Sequence, residues 1–415
     1  AQRMTRLERM IVDVTRPAQS ELRNLPASFR IAAMVLMRAK YGRLDITFPD
    51  GRTFRFSGAE PGPEAEILVK DKTFAKAALT KGDIGFAEAY MDERIDTGDM
   101  ALVLEFFTRN FDHMREVTAG GALTKFINNI RHAMRANSRR GSKRNILAHY
   151  DLGNEFYSAW LDPTMTYSSG IFDDAGDDLH KSQINKYASM AERLKLQPGQ
   201  RVLEIGGGWG GFAEYAAKHH KVSVDSVTIS DAQYDFATKR IGRAGLDDQV
   251  QVKLCDYRDL RGSYDAVASI EMFEAVGEKY WPVYFNKIRD VLKPGGRANL
   301  QIITIDDRLF ESYRKRMDFI QAYIFPGGML PSIPRLKDEI SGAGLRYESE
   351  RMFGLSYAET LARWKVRFDD AWDRIKEMGF DERFRRLWIY YLAYCEAGFR
   401  SGRIDVGQFV MTRPN

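Results

Sequence analysis

The segment "RVLEIGGGWGGFAEYAA" (residues 201–217) places a short apolar strand, a run of glycines and an apolar-spaced helical stretch in direct succession. Gly206, Gly208 and Gly211 fit the pattern G-x-G-x-x-G between that strand and that helix. Glycines here permit a tight turn and let a ligand approach the backbone at a helix N-terminus. The segment therefore predicts an α/β sheet with a nucleotide-like ligand at its first turn.

Two ligands satisfy this glycine pattern. A dinucleotide requires an acidic residue about 20 positions further on, and Asp225 stands near there. S-adenosylmethionine (SAM) uses the same turn of a related sheet, and Glu204 completes the methyltransferase pattern E-x-G-x-G. The segment "VLKPGGR" (residues 291–297) is the turn that such folds use between a helix and a late strand. These two features favour SAM.

The chain after the glycine turn alternates predicted strands with predicted helices. Strands are indicated by "KVSVDSVTIS", "QVQVKLCDY", "YDAVASIEMF" and "GGRANLQIITI". This alternation predicts a doubly wound, mostly parallel sheet with helices on both faces. Residues 305–399 are predicted to be largely helical, and "VGQFVMTRP" to close the chain as a strand.

Residues 40–117 show the pattern of a smaller α+β unit. "GRLDITFPDGRTFRF" alternates apolar and polar residues on both sides of Pro49-Asp50-Gly51, which indicates a hairpin. "EAEILVK" follows as a strand, and two segments with helical spacing come next. We predict an N-terminal domain over residues 1–120, a basic linker over 121–147 and a catalytic domain over 148–415.

Composition and charge indicate where the protein works. Of 415 residues, 44% are hydrophobic, and the net charge of +5 favours an anionic surface without indicating nucleic acid. Two cysteines make no disulfide framework, which predicts a reducing cytoplasm. The apolar run "IAAMVLM" is too short to span a bilayer.

Residues 117–150 contain no acidic residue and several lysines and arginines. That span is either a solvated charge run or a patch for anionic lipid headgroups, and we predict peripheral binding to the inner face of the membrane.

Several blocks of the chain resemble the cyclopropane fatty acid synthase family in their order and content. They are "AHYDLGNEFYSAWLDPTMTYSSGIF", "VLEIGGGWGGFAEYAA", "VTISDAQ", "CDYRDL", "SIEMFEAVG", "YIFPGGMLPS" and "YYLAYCEAGFRSGRIDVGQFVM", between residues 148 and 411. The resemblance implies a class I SAM-dependent methyltransferase fold with a seven-stranded sheet and helical insertions. It also implies a sterol-carrier-like, lipid-binding N-terminal domain and a homodimer.

The resemblance further implies an enzyme that modifies the cis double bond of an unsaturated acyl chain in a membrane phospholipid, forming a cyclopropane. It assigns the reaction centre to Glu274, Tyr357 and Cys395. The cofactor contacts that it assigns are Tyr167, Ser168, Gly206, Gly208, Thr228, Ile229, Gln233, Tyr257, Arg258 and Ile270.

Two positions depart from the cyclopropane pattern. Members of the family have a cysteine where this chain has Ser169 and a histidine where it has Gln301. In those members the two residues help to hold a bicarbonate ion that takes up a proton. The serine and glutamine resemble the branch of the family that makes methylene- or methyl-branched fatty acids. Bound bicarbonate or water therefore remains an open alternative here.

The chemistry of the reaction limits the roles that these residues can have. Methyl transfer to an alkene leaves a carbocation, which aromatic faces stabilise in a dry site. Loss of a proton from the new methyl group closes a ring, and loss from a neighbouring carbon gives a branch. Glu274 is either the base or the group that orients a bound anion or water, and His149 is a proton carrier or a structural histidine. Candidates for the aromatic contacts are Tyr167, Phe172, Tyr323, Phe325, Tyr357 and Trp364.

Three functional alternatives stay open from the sequence alone. One is the methylene- or methyl-branching reaction, and a second is methylation of a non-lipid acceptor such as an amine. The third is a lipid-binding protein whose catalytic domain is inactive. No cluster of Cys, His or carboxylate residues has metal-ligand spacing, so no metal is predicted.

Charge reversal at Arg139, Arg140, Lys143 and Arg144 is expected to weaken binding to anionic vesicles, because the acid-free span would lose its attraction for lipid headgroups. Added salt should weaken binding of the parent in the same way, since it screens exposed charges. Vesicle co-sedimentation at two salt concentrations measures both effects. Equal binding to neutral and anionic vesicles would contradict an electrostatic contribution.

Overall fold

A computed structural model describes residues 11–14, 22–117 and 152–415, with side chains given for all of these except residues 112–117. The basic residues of the predicted linker and His149 lie outside the described residues. The chain divides into two compact units. One holds the described residues up to Val117 together with Ser312–Pro326 and Phe380–Ser401, and the other holds the remaining described residues. The domain boundaries predicted from the sequence remain a prediction.

The first unit contains a five-stranded sheet in the order β1-β3-β2-β4-β5. Its strands are β1 (Ile11–Asp13), β2 (Tyr41–Thr47), β3 (Thr53–Ser57), β4 (Glu60–Val69) and β5 (Ile95–Asp96). Its helices are α1 (Ala27–Leu36), α2 (Phe74–Met91), α3 (Met100–Val117), α10 (Phe319–Tyr323) and α14 (Glu382–Arg400). The predicted hairpin is confirmed, because β2 and β3 pair antiparallel around Gly51, whose φ of 90° suits glycine.

The second unit contains a seven-stranded sheet in the order β11-β12-β10-β9-β6-β7-β8. Its central strands are parallel, and β12 runs antiparallel between β10 and β11. The strands are β6 (Arg201–Ile205), β7 (Ser223–Thr228), β8 (Val250–Leu254), β9 (Tyr264–Ile270), β10 (Leu292–Ile305), β11 (Arg346–Met352) and β12 (Ile404–Thr412).

Two helices precede the first strand of this sheet, and the others lie between its strands in the chain. They are α4 (Gly153–Trp160), α5 (Leu179–Arg193), α6 (Gly211–His220), α7 (Asp231–Arg243), α8 (Trp281–Val291), α11 (Ile333–Gly342), α12 (Gly354–Asp370) and α13 (Trp372–Glu377). A further helix, α9 (Asp307–Arg314), runs from this unit into the first. Short 3-10 turns span Tyr257–Asp259, Phe273–Ala275 and Glu278–Tyr280.

The core of the second unit forms where apolar faces of helices cover the parallel strands. Val202 and Val224 pack with Phe212 of α6 and Met190 of α5. Strands that are covered on both faces read as nearly continuous apolar runs, which is why they were recognisable in the sequence.

The predicted α/β class, with a mostly parallel sheet of seven strands, is confirmed. The prediction of a largely helical C-terminal region missed β11, whose residues "RYESERM" alternate between half-buried and exposed positions. Among the described residues, every helix is too short or too polar to cross a lipid bilayer.

Candidate active site

The glycine turn lies at the carboxyl end of β6, where ligands bind in open α/β sheets. Gly206 and Gly208 have φ values of 79° and 57°, and a Cβ built on Gly208 would meet no atom within 4 Å. A Cβ on Gly207, by contrast, would lie 1.9 Å from Ser226 Oγ. Gly207 therefore serves packing, whereas the backbone at Gly208 borders space that a ligand can enter.

Asn154 ties the glycine turn to the neighbouring helix α7. Its Oδ1 accepts a hydrogen bond from Trp209 Nε1 at 2.8 Å, and its Nδ2 donates to the carbonyl oxygen of Ala232 at 3.0 Å. Asn154 was not among the predicted site residues, although it lies inside the opening block "AHYDLGNEFY".

The carboxyl end of β7 presents further predicted cofactor contacts. Thr228 Oγ1 donates to Gln233 Oε1 at 2.8 Å, which holds the first turn of α7 against the strand end. Ile229, between them, is 80% exposed. An apolar side chain left open at this edge suits the flat face of a base. The structure thus brings Thr228, Ile229 and Gln233 together beside the glycine turn.

The next strands contribute Tyr257, Arg258 and Ile270. Tyr257 lies in a 3-10 turn and packs edge-on against Tyr284 at 5.3 Å between ring centroids. Arg258 is paired with Asp256, with Nη2 and Oδ2 2.7 Å apart. Ile270 ends β9 and packs on the hydrophobic core. Their predicted contacts with the adenine side of the cofactor remain a prediction.

Asp225, the residue that a dinucleotide would require, is engaged elsewhere. It lies in the middle of β7, where its Oδ2 accepts from Tyr264 Oη at 2.7 Å and from Arg201 Nη2 at 3.0 Å. It is therefore tied to neighbouring strands and not to the ligand edge. Glu204 is buried and accepts from Ser226 Oγ at 2.8 Å, and burial raises its pKa to about 8.

Tyr167 belongs to an aromatic cluster. Its ring centroid lies 5.1 Å from that of Tyr157, 5.7 Å from Trp160 and 5.6 Å from Trp364. Trp364 in turn packs edge-on against Tyr357 at 6.1 Å. Three of the predicted aromatic candidates, Tyr167, Tyr357 and Trp364, are thus neighbours.

A carboxylate that the sequence analysis did not select organises the predicted reaction centre. Glu271 Oε2 accepts hydrogen bonds from the backbone N–H of Ser169 at 2.7 Å and from Gln301 Nε2 at 2.8 Å. Its Oε1 accepts from Tyr357 Oη at 2.5 Å. The predicted residues Ser169, Gln301 and Tyr357 therefore meet at Glu271, and Gln301 Nε2 also donates to the carbonyl oxygen of Ser169 at 3.3 Å.

Ser169 contacts the carboxylate through its backbone. Its hydroxyl donates instead to the carbonyl oxygen of Gly170 at 2.8 Å. Gln301 is held in the orientation that presents its amide N–H groups to Glu271, because Gln408 Nε2 donates to Gln301 Oε1 at 3.3 Å. Gln408 faces Gln301 across the β10–β12 pair, and both are buried.

The backbone at Glu271 is unusual for a non-glycine residue. It directly follows β9 with a φ of 50°, and its N–H donates to the carbonyl oxygen of Gln301 at 2.8 Å. Such conformations persist where the surrounding structure enforces them, and they cluster at functional sites. Burial raises the pKa of Glu271, while Lys186, Tyr357, Ser169 and Gln301 act in the opposite direction.

Glu274, the carboxylate that the resemblance assigned to the reaction centre, has fewer donors. Its Oε1 accepts from the backbone N–H of Ile303 at 3.3 Å. Burial, and then the neighbouring Glu271, raise its pKa well above the ordinary value. The pKa of both carboxyls is raised, but more groups oppose the rise at Glu271, whereas Glu274 is favoured in its neutral form.

Comparison with known proteins shows which family the chain belongs to. Residues 137–409 match the family described as mycolic acid cyclopropane synthetase. The chain belongs to the mycolic acid cyclopropane synthetase family. The predicted family resemblance is therefore confirmed.

Individual members of known function are similar to this chain over most of their length. The tuberculostearic acid methyltransferase UfaA1 of Mycobacterium tuberculosis is 37% identical, over 93% of this chain and 92% of its own. The cyclopropane-fatty-acyl-phospholipid synthase of Escherichia coli is 37% identical, over 89% and 96%. The solved structure of mycolic acid cyclopropane synthase CmaA1 complexed with SAH and CTAB aligns with a TM-score of 0.60 at 29% identity, covering 65% of this chain and 97% of that one.

As a member of the cyclopropane synthetase family, the protein is a SAM-dependent methyltransferase of the cyclopropane synthase type. The local structure fits that cofactor, since Gly208 borders open space and Ile229 is exposed beside Thr228 and Gln233. Of the two ligands that the glycine pattern allowed, SAM is the one confirmed.

Two further predictions concern Cys395 and metals. Cys395 lies in α14 of the first unit and forms no disulfide, and its catalytic role remains a prediction. Within residues 11–14, 22–117 and 152–415, no group of three or more His, Cys, Asp or Glu side chains is arranged to hold a metal ion.

Gly208→Val is expected to lower SAM affinity about tenfold or more, because the new side chain would project into the ligand space. The matched control is Gly245→Val. Gly245 also has a positive φ, 69°, and open surroundings, but it lies in the loop that leads into the amino end of β8. Calorimetric titration with SAM measures both variants. Equal affinities in the two variants would show that the backbone at Gly208 does not border the cofactor.

Proposed function

We propose that this enzyme transfers the methyl group of SAM to the cis double bond of an unsaturated acyl chain in a membrane phospholipid, with Glu271 accepting the proton that is then lost. The observation that carries the proposal is the Glu271 carboxylate with its donors Ser169, Gln301 and Tyr357. The names of the Escherichia coli and Mycobacterium tuberculosis relatives support a fatty acyl substrate.

When bound, SAM supplies an electrophilic methyl group on a positively charged sulfur. The chain's own residues have to orient the alkene towards it and exclude water. The cluster of Tyr167, Tyr357 and Trp364 offers aromatic faces for this purpose. A carbon–carbon bond forms as the carbon–sulfur bond breaks, so the positive charge passes to an acyl-chain carbon, where aromatic faces stabilise it.

The cation is then neutralised by loss of a proton. Glu271 is the group best suited to take this proton, because its donors favour the ionised carboxylate. Glu274 is assigned a different role, since its raised pKa favours a neutral carboxyl that donates a hydrogen bond. In this scheme the enzyme carries its own base, and both Ser169 and Gln301 serve to hold that base.

The position of the base determines the product. Proton loss from the new methyl group gives a cyclopropane, and loss from a neighbouring chain carbon gives a methyl-branched alkene. The two departures from the cyclopropane pattern, Ser169 and Gln301, both contact Glu271. Because this serine and glutamine resemble the branching members of the family, we place the branched product ahead of the ring. The relative UfaA1, whose name describes methylation, is consistent with this choice.

We further propose that the enzyme works in the cytoplasm as a homodimer bound peripherally to the membrane. The acid-free basic span of residues 117–150 supports the membrane contact through its sequence alone. The dimer rests on the family resemblance. Methylation of an amine acceptor is less favoured, because the aromatic cluster around Trp364 suits an apolar chain.

Product analysis with methyl-deuterated SAM tests the proposed reaction. The enzyme is incubated with vesicles of monounsaturated phospholipid, and the released fatty acids are analysed by mass spectrometry. A methyl-branched alkene formed directly keeps all three deuterium atoms, and a cyclopropane keeps two. An exomethylene formed by a later proton shift also keeps two, and hydrogenation distinguishes it from the ring. Phospholipid without any added carbon would refute the proposal.

Glu271→Gln and Glu274→Gln separate the two carboxyl roles. We expect Glu271→Gln to lower turnover about a hundredfold or more, because the amide cannot accept the proton. Glu274→Gln should retain much more activity, since glutamine resembles the neutral carboxyl. Single-turnover methylation rates and SAM affinity are measured for both variants. The control is Glu359→Gln, at a partly exposed position of α12 where the carboxylate pairs with Arg363 of the same helix. A larger loss in Glu274→Gln than in Glu271→Gln would reverse the assignment.

A further inference from the structure

Lys186 is a buried lysine directly behind the proposed base. It lies on α5 with no exposed surface. Its Nζ donates to Ser168 Oγ at 2.5 Å and to the carbonyl oxygen of Ser169 at 3.1 Å. The N–H of the same Ser169 donates to Glu271 Oε2. One residue therefore separates the ammonium group from the carboxylate.

The charged groups that face Lys186 come from several elements. Glu271 follows β9, Asp162 follows α4 and Glu204 lies in β6, and each attracts the ammonium group. The ring of Tyr187, on the same helix, lies 5.1 Å from Nζ. Asp162 is held by Thr164 and Thr166, and Glu204 by Ser226. Glu271 is the carboxylate in this set that lies within the predicted reaction centre.

We propose that Lys186 is a positioning residue that keeps Glu271 ionised and holds the Ser168–Ser169 backbone against it. This inference rests on the proposed role of Glu271 as proton acceptor. Ser168 is also a predicted cofactor contact, so Lys186 links the cofactor side of the site to the base.

The electrostatic reason is the cost of a carboxylate that has lost its water. Burial raises the pKa of Glu271, and the charge of Lys186 is the first among the effects that lower it. Burial also lowers the pKa of Lys186, to about 8. Below that pH the ammonium is present and stabilises the Glu271 anion. Above it the lysine becomes neutral, and the stabilisation that its charge gives to the Glu271 anion is lost.

The hydrogen bonds around Lys186 allow its charge to be removed with limited disruption. The Ser168 hydroxyl loses its bond to Nζ, but the backbone there stays held, because Gln183 Nε2 donates to the Ser168 carbonyl oxygen at 2.8 Å. The carbonyl oxygen of Ser169 still accepts a hydrogen bond from Gln301 Nε2 at 3.3 Å. Lys186→Met preserves the length and the apolar part of the side chain, and Lys186→Gln also preserves a hydrogen-bond donor. Lys181→Met, at an exposed position of the same helix, is the matched control.

The first measurement is independent of catalysis. The carboxyl stretching band that disappears in Glu271→Gln is titrated by infrared difference spectroscopy in the parent and in each lysine variant. We expect the apparent pKa of Glu271 to rise by about one unit or more in Lys186→Met and Lys186→Gln, and to stay unchanged in Lys181→Met. An unchanged pKa in a folded Lys186 variant would overturn the proposal.

The second measurement is the pH dependence of turnover. The ratio of parent to Lys186→Met activity should be largest below about pH 8 and should fall towards one above it, because the parent lysine then loses its charge as well. SAM affinity and thermal unfolding, measured alongside, show whether each variant is folded, and Lys186→Gln replaces Lys186→Met if the latter does not fold. A ratio that is constant with pH would indicate a structural role only and would overturn the proposal. Failure of the proposed function appears separately, as a parent enzyme that adds no carbon to the lipid.

Discussion

A carboxylate with little access to water is costly unless the surrounding groups replace the lost hydration. Glu271 meets this requirement with donors from separate parts of the second unit. Ser169 lies in the loop before α5, Gln301 in β10 and Tyr357 in α12. Because these donors converge on one side chain, the carboxylate also fixes where the loop, the strand and the helix meet. The rest of the proposed reaction centre depends on this arrangement.

The same interaction gives a role to the two residues that depart from the cyclopropane pattern. Ser169 and Gln301 replace a cysteine and a histidine that help to hold a bicarbonate ion in other members of the family. In the structure, both are donors to an anion that the chain supplies itself. At Ser169 the backbone N–H contacts the carboxylate and the hydroxyl does not, and any residue other than proline offers that N–H.

Local patterns predicted the sheet and the glycine turn, because strand periodicity and positive φ values are properties of neighbouring residues. The position of Glu271 could not be predicted in that way. Its donors are 102, 30 and 86 positions distant in the chain, so no local spacing reveals them. The resemblance pointed to Glu274, only three residues away, because a resemblance can assign a role only to residues that match the family's motif. The remaining signal was an acidic residue directly after a buried strand, in "VASIE". β11 was missed for a related reason, because an edge strand with alternating exposure lacks a continuous apolar run.

The pairing of Gln301 with Gln408 has a consequence for how the enzyme matures. The two amides are 107 positions apart, and β12, which carries Gln408, follows every other strand of its sheet in the chain. During synthesis from the N-terminus, β10 can pair with β9 well before β12 exists. Until β12 inserts beside β10, the Gln301 amide has no Gln408 to orient it. The orientation of the Gln301 amide, and with it one donor to the base, is therefore completed only by the strand that is synthesised last in this sheet.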